Sequence, residues 1–315
     1  MTCSQYCCPF LQKEYNVIQV SCGGGFTLIR ASHRHGREKS KNTHQVYAWG
    51  LVDRGRLGIG RIYRTGDKYK QMTTESKKTP WCQSIPTVLK TLDDEEVINI
   101  SAGESHALAL NAKGEIFAWG SNSKGECSVA AISSKLFLKS ECLRSENRYD
   151  GFEETSLPSL WDDVLSPRRI QYFGPKTGVI ARSISAGGIH SAAVDKQGRV
   201  FTWGGGGQGL CLGHGDCVRY EFLLKRKEDA LLRDYMLLSG NTTPPKWAKP
   251  RVIRCLLGKE DIVSIDLGRS NGAALSKSGY IYSWGDSPNE VQRVRGKVIK
   301  MFLHHNLLLT SNFFH

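Results

Sequence analysis

The sequence predicts an all-β fold, a propeller of repeated units of short strands, and three observations carry that prediction. A glycine recurs at Gly23, Gly103, Gly187 and Gly268. From Gly103, Gly187 and Gly268, a second glycine follows 17 residues later at Gly120, Gly204 and Gly285, each directly after a tryptophan, Trp119, Trp203 and Trp284. The stretches between these landmarks are short β-branched and aromatic runs broken by Gly turns, with no helical period. Radial repetition of such sheets leaves only short, protected edges.

The first unit runs from Val17-Ile18-Gln19-Val20 through Gly23 to Trp49-Gly50, a 27-residue interval that carries ten residues more than the others. In the second, Val97 to Ile100 leads into Gly103. His106 to Leu110 follows, then a turn at Lys113-Gly114 and the strand Glu115 to Trp119. The third has His190 in the place of His106, and the fourth runs from Ile262-Val263-Ser264-Ile265 to Trp284-Gly285. A degenerate fifth copy begins at Val298 and ends near Leu307 to Leu309 without reaching a Trp-Gly. The last blade therefore lacks its outer half, and the propeller is expected to be open or incomplete. An exposed strand edge invites pairing with another chain, so self-association through that edge is expected. Pro9-Phe10-Leu11 offers one candidate closing strand.

The chain has 315 residues, 40% apolar and 23% charged, enough to bury a sizeable core. No apolar run approaches the roughly 18 residues of a membrane span, and the first twelve residues lack the layout of a secretory signal. Ten cysteines without a paired framework suit a reducing compartment, so cytoplasm or nucleus is expected, with no membrane association.

The repeated residues resemble the regulator of chromosome condensation repeat family. Its unit reads apolar strand, Gly-x-x-His, Gly-x-apolar-aromatic-x-Trp-Gly, a Gly-rich turn and a Pro-led strand. Gly114 to Gly120, Gly198 to Gly204 and Arg56-Leu57-Gly58-Ile59-Gly60 match it, and Pro86, Pro167 and Pro250 would open the returning strands. The resemblance implies a single propeller domain over residues 1–315. Structural positions are implied for Gly23, Trp49, Gly50, Gly103, His106, Trp119, Gly120, Gly187, His190, Trp203, Gly204, Gly268, Trp284 and Gly285. The family usually closes seven blades, more than the units seen here.

Several motifs look chemical, and the repeat explains each one. Gly268-Arg269-Ser270-Asn271-Gly272 fits the Gly-x-Ser-x-Gly elbow of hydrolases. The same column holds Gly25, Ser105 and Ile189, so the serine is replaceable and a tight turn is the better reading. Gly204 to Gly209 contains Gly-x-Gly-x-x-Gly, but no helix start follows to hold a pyrophosphate. Cys211, His214 and Cys217 lack the paired spacing of a zinc site. No catalytic, metal or cofactor residue is assigned, and no covalent catalysis is expected.

Individuality lies in insertions at 30–45, 61–85, 128–165 and 216–249. The last three occupy one position in their repeats and should emerge from one face. Together with residues 291–315, these segments hold +11 of the formal charge of +13, with 128–165 alone net acidic at −3. Such loops can steer a partner by charge. The candidate partner-binding residues are Arg61, Arg64, Lys68, Lys70, Glu153, Glu154, Trp161, Asp162, Lys225 and Arg226. Residues 221–238 have the spacing of an amphipathic helix, and 150–163 reads as an acidic linear segment. The expected function is a protein-binding scaffold or adaptor. The alternatives are guanine-nucleotide exchange on a Ran-type small GTPase, which the resemblance implies, and association with chromatin or nucleic acid through the basic loops.

Overall fold

The computed structural model describes residues 15–33, 44–60, 82–128, 163–205, 209–214, 246–256, 261–285, 292–294, 301–304 and 307–310. Within them the chain forms four four-stranded antiparallel sheets and one hairpin. The first sheet is β1 (Tyr15–Cys22), β2 (Phe26–His33), β3 (Gln45–Leu51) and β4 (Cys82–Val88). The second is β5 (Val97–Ala102), β6 (His106–Asn111), β7 (Ile116–Gly120) and β8 (Val164–Arg169). The third is β9 (Ala181–Ala186), β10 (His190–Asp195), β11 (Val200–Gly204) and β12 (Arg251–Val252). The fourth is β13 (Ile262–Leu267), β14 (Asn271–Ser276), β15 (Ile281–Gly285) and β16 (Gln292–Val294). Strands β17 (Met301–His304) and β18 (Leu307–Thr310) pair as a two-stranded sheet, half a blade. The arrangement is an all-β propeller of repeats in which strand order follows chain order in every blade. No closure into a complete ring is seen among the described residues.

Register shows why the units match. His106, His190 and Asn271 pair with Gly120, Gly204 and Gly285 at the same ladder position, as Phe26 does with Gly50. Each first-to-second-strand ladder carries one irregularity near its outer end, at Val17/Gln19, Val97/Asn99, Val194/Asp195 and Ile262/Ser264. The second-to-third-strand turns are closed by their own first residue. Asn111 Oδ1 accepts from the Lys113 and Glu115 amides, Asp195 Oδ1 from Gln197 and Arg199, and Ser276 Oγ from Tyr280. A short polar side chain satisfying turn amides is what makes these residues favoured there.

The strands reach further than the sequence suggests. Residues 30–33 finish β2, 82–85 begin β4 and 164–165 begin β8, which shortens the insertions to 34–44, 52–81 and 121–163 between strands. Pro86 and Pro167 lie inside β4 and β8 rather than opening them, and only Pro250 directly precedes its strand. Both inner prolines sit on a sheet's last strand, where a missing N–H removes no ladder bond from a neighbour beyond it. The 221–238 segment lies outside the described residues, as does 150–163 apart from Asp163.

Candidate functional site

The blades are joined by a repeated set of contacts. Trp119 Nε1 donates to the Arg56 carbonyl at 3.0 Å, Trp203 Nε1 to Glu126 at 2.8 Å and Trp284 Nε1 to Cys211 at 3.0 Å. Each acceptor lies in the connection that follows the third strand of the preceding blade. A fully buried indole fills the space between blades, and this one bond satisfies its N–H. A second rung joins the inner strands: the Ala102, Ala186 and Leu267 amides donate to Ser21, Ser101 and Ser185 Oγ, each at 2.9 Å. A third joins the turns, where the Gly24, Glu104 and Gly188 amides donate to the carbonyls of Gly103, Gly187 and Gly268. A Cβ on Gly103 would collide with the Gly187 carbonyl, and one on Gly187 would meet the Gly268 carbonyl at 2.7 Å. Close approach of successive turns is thus what the recurrent glycine permits.

His106 and His190 lie beneath these turns, fully buried. His106 Nε2 meets Ser191 Oγ at 2.9 Å, and that hydroxyl donates to the Glu126 carbonyl at 2.9 Å. Since the serine proton is spent on Glu126, His106 must donate through Nε2–H. The fourth blade has Gly272 where the third has Ser191, so no hydroxyl reaches His190 Nε2. Burial drives the His106 pKa down to about 3 and that of His190 to about 4, so both rings are neutral. This Ser–His pair has no access to solvent and makes an inter-blade bridge. His214 Nε2 meets Thr202 Oγ1 at 2.9 Å and the Arg251 carbonyl at 3.2 Å, holding the third blade's outer strand.

One ionisable group stands out at the loop end of the second blade. Glu126 is almost fully buried, its carboxyl taking a bond from the Lys124 amide at 2.8 Å and from Ser121 Oγ at 3.3 Å. Burial pushes its pKa up to about 7, with the nearby Asp163 charge adding to the rise. The Cys127 thiol beside it is raised by burial as well.

The Gly-x-Ser-x-Gly segment is the turn from β13 into β14, with Gly272 already in the strand, so it lacks the strand-to-helix elbow. After Gly204 the chain makes a four-residue 3₁₀ turn, Gly209–Leu212. Among the described residues no group of three or more His, Cys, Asp or Glu is placed to hold a metal. None of their helices is long and apolar enough to cross a membrane.

The antiparallel order sets which connections share an end. Turns 23–25, 103–105, 187–189 and 268–270 lie at the same end of their blades as the third-to-fourth-strand connections that contain 61–81, 129–162 and 215–245. The 34–43 insertion joins β2 to β3 and so leaves from the opposite end. Arg61, Arg64, Lys68, Lys70, Glu153, Glu154, Trp161, Asp162, Lys225 and Arg226 lie outside the described residues. The serine rungs and the loop carbonyl acceptors were missed from sequence, though Ser21, Ser101 and Ser185 each precede their glycine by two residues.

Models of the regulator of chromosome condensation (RCC1) repeat match residues 97–126 and 181–209, and residues 43–110. This chain belongs to the RCC1-repeat family. The probable E3 ubiquitin-protein ligase HERC6 of Homo sapiens is 25% identical over 245 residues, covering 77% of this chain and 16% of that protein. The RCC1-like G exchanging factor-like protein of Mus musculus is 25% identical over 141 residues, 45% of this chain and 28% of that protein. The solved structure of human WBSCR16 shares the fold, with TM-score 0.53 and 20% identity over 91% of this chain and 55% of its own. The chain thus spans well under half the length of these curated relatives. An RCC1-repeat fold of this kind is consistent with a protein–protein interaction scaffold.

Proposed function

We propose that this RCC1-repeat chain is a protein-recognition module that engages a small GTPase through the loop end of its blades. The observation that carries the reading is the convergence of all four first turns and the three long third-to-fourth-strand connections at one end of the sheets. A rigid, laterally bonded scaffold beneath variable loops is a common way to build a binding surface. The basic 61–81 segment and the acidic 129–162 segment would steer the partner and fix its orientation. Arg61, Arg64, Lys68, Lys70, Glu153, Glu154, Trp161, Asp162, Lys225 and Arg226 are the proposed contacts.

Guanine-nucleotide exchange is favoured as the activity by the similarity to the mouse protein named as G exchanging factor-like. It would work by loop groups competing for the contacts that hold phosphate and magnesium. The test is release of a fluorescent guanine nucleotide from a panel of small GTPases, with binding measured in parallel. Accelerated release from one member supports exchange, and binding without release supports a scaffold. Neither, across the panel, refutes a GTPase partner.

A further inference from the structure

Three carboxyls are buried among the described residues, and two of them meet a cation. Glu115 pairs with Arg169 and Asp195 with Arg199, each at 2.6 Å. Glu126, 2% exposed, has instead two neutral donors, the Lys124 amide and Ser121 Oγ. An ionised carboxylate without a cation is costly to bury. The loop that holds it departs from its counterparts at three successive columns. Arg56, Glu126 and Cys211 each give the carbonyl that accepts the next blade's indole N–H. The column after them is Leu57, Cys127 and Leu212, and the next is Gly58, Ser128 and Gly213. The second-blade loop thus buries an acid, anchors itself with a thiol where the others bury leucine, and places a side chain at φ +46° where the others use glycine at +68° and +66°. At Gly58 and Gly213 a Cβ would meet the indoles of Trp119 and Trp284 at 2.8 and 3.0 Å. Each departure weakens the closed loop, by charge burial, by a smaller apolar anchor and by left-handed strain.

We infer that residues 121–128 form a proton-controlled latch on the junction between the second and third blades, closed when the Glu126 carboxyl is protonated. The loop itself is the two-state element. Closed, its Glu126 carbonyl accepts from Trp203 Nε1 and Ser191 Oγ; released, the carboxylate gains water and the carbonyl leaves both donors. Asp163, directly before β8, opposes ionisation, and Cys127 is a neutral thiol. The third blade brings Ser191, Trp203 and the neutral His190 to the Glu126 main chain, with the neutral His106 behind Ser191. Trp247 and Ala248 pack on Gly125 from the 3₁₀ turn Lys246–Ala248, whose charged residue is Lys246, followed by the exposed Lys249. The latch is a property of the scaffold and does not depend on the GTPase reading.

Hydrogen exchange of three indole N–H groups in the intact chain tests it, because Trp119 and Trp284 donate to loops that bury no carboxyl. The Glu126 carboxyl titrates at about 7 in the closed loop against 4.5 when exposed, so between those values the released loop binds fewer protons and opens more easily as pH rises. The exchange rate of Trp203 divided by that of Trp119 or Trp284 should climb about tenfold per pH unit from pH 5.5 to 7 and level off above it. Glu126→Gln should hold the ratio flat across that range. Ser128→Gly should lower it severalfold at every pH without changing its slope. Parallel profiles for the three indoles in the parent would overturn the inference, since the rings would then be released together by global opening. So would a ratio that still climbs with pH in Glu126→Gln. The parent's own profile decides even where a variant fails to fold.

Discussion

The Glu126 carbonyl accepts two hydrogen bonds across the second blade junction, from Trp203 Nε1 at 2.8 Å and from Ser191 Oγ at 2.9 Å. A single loop atom thereby ties the indole core of the third blade to the buried His106–Ser191 bridge. Nearby, the same residue buries its carboxyl. Position along the chain thus matters more to the junction than side-chain identity, which explains how Arg56, Glu126 and Cys211 perform one role.

Large-to-small substitution of a buried tryptophan removes packing and one hydrogen bond to the loop carbonyl of the preceding blade. Trp119→Ala and Trp203→Ala should each cost about 3–5 kcal/mol. Trp203→Phe should cost less than Trp203→Ala, with about 0.5–1.5 kcal/mol of it from the lost hydrogen bond, because the Glu126 carbonyl keeps Ser191 as a donor. Trp49→Ala should cost much less, because that ring is only partly buried and donates to no carbonyl among the described residues. Urea midpoints of the four variants check the order; equal losses at Trp49 and Trp119 would contradict it.

Gly103 has no positive φ, so an alanine there meets no backbone penalty of its own. The obstacle is the Gly187 carbonyl and the His106 ring, both too near for a Cβ. Gly103→Ala should destabilise by at least about 1–3 kcal/mol through forced separation of the turns. Gly60 has φ +84° but open space around its Cβ position, so Gly60→Ala should cost only about 1 kcal/mol of left-handed strain. Thermal melts of the pair separate close approach from conformational freedom.

Ser191 and His106 mimic a nucleophile and base at 2.9 Å, yet both are fully buried. A fluorophosphonate probe should leave Ser191 unmodified in the folded protein. Ser191→Ala should lower stability by about 1–3 kcal/mol, since it orphans the His106 Nε2–H. Covalent labelling of Ser191 under native conditions would reverse this reading.

The repeat was legible because its landmarks are residues with few substitutes. A glycine pressed against the next turn and an indole between blades recur at fixed spacing, and four sheets followed from them. The connecting atoms were harder to read. Main-chain carbonyls at Arg56, Glu126 and Cys211 leave no mark on side-chain identity, and Ser21, Ser101 and Ser185 are visible only after alignment on the glycines. Pro86 misled as a strand opener, since an outer strand tolerates proline within it. The partner-binding set, from Arg61 to Arg226, rested on charge and loop position, which indicate an end of the molecule rather than a geometry.

Acid should destabilise the protein through its buried histidines, with one carboxyl opposing them. His106 and His190 have folded pKa values of about 3 and 4, well below the ordinary value of 6.5. Between pH 6.5 and 4 the unfolded chain therefore binds protons that the folded chain refuses, and stability falls as pH falls. Each histidine contributes about 1.4 kcal/mol per pH unit in that window. Glu126 has the opposite sign: with its pKa raised to about 7, the folded protein takes a proton before the unfolded chain does, so its contribution grows as pH drops from 7 toward 4.5. The net slope is that of two histidines less one carboxyl. Glu126→Gln should steepen the loss of melting temperature between pH 7 and 4.5. His190→Phe should flatten it, and the fold should accept the ring because Phe26 already fills that column, buried under Gly23. Melting curves of the three proteins from pH 8 to pH 4 decide the matter, and a Glu126→Gln profile parallel to the parent's would show that the buried carboxyl does not titrate in this range.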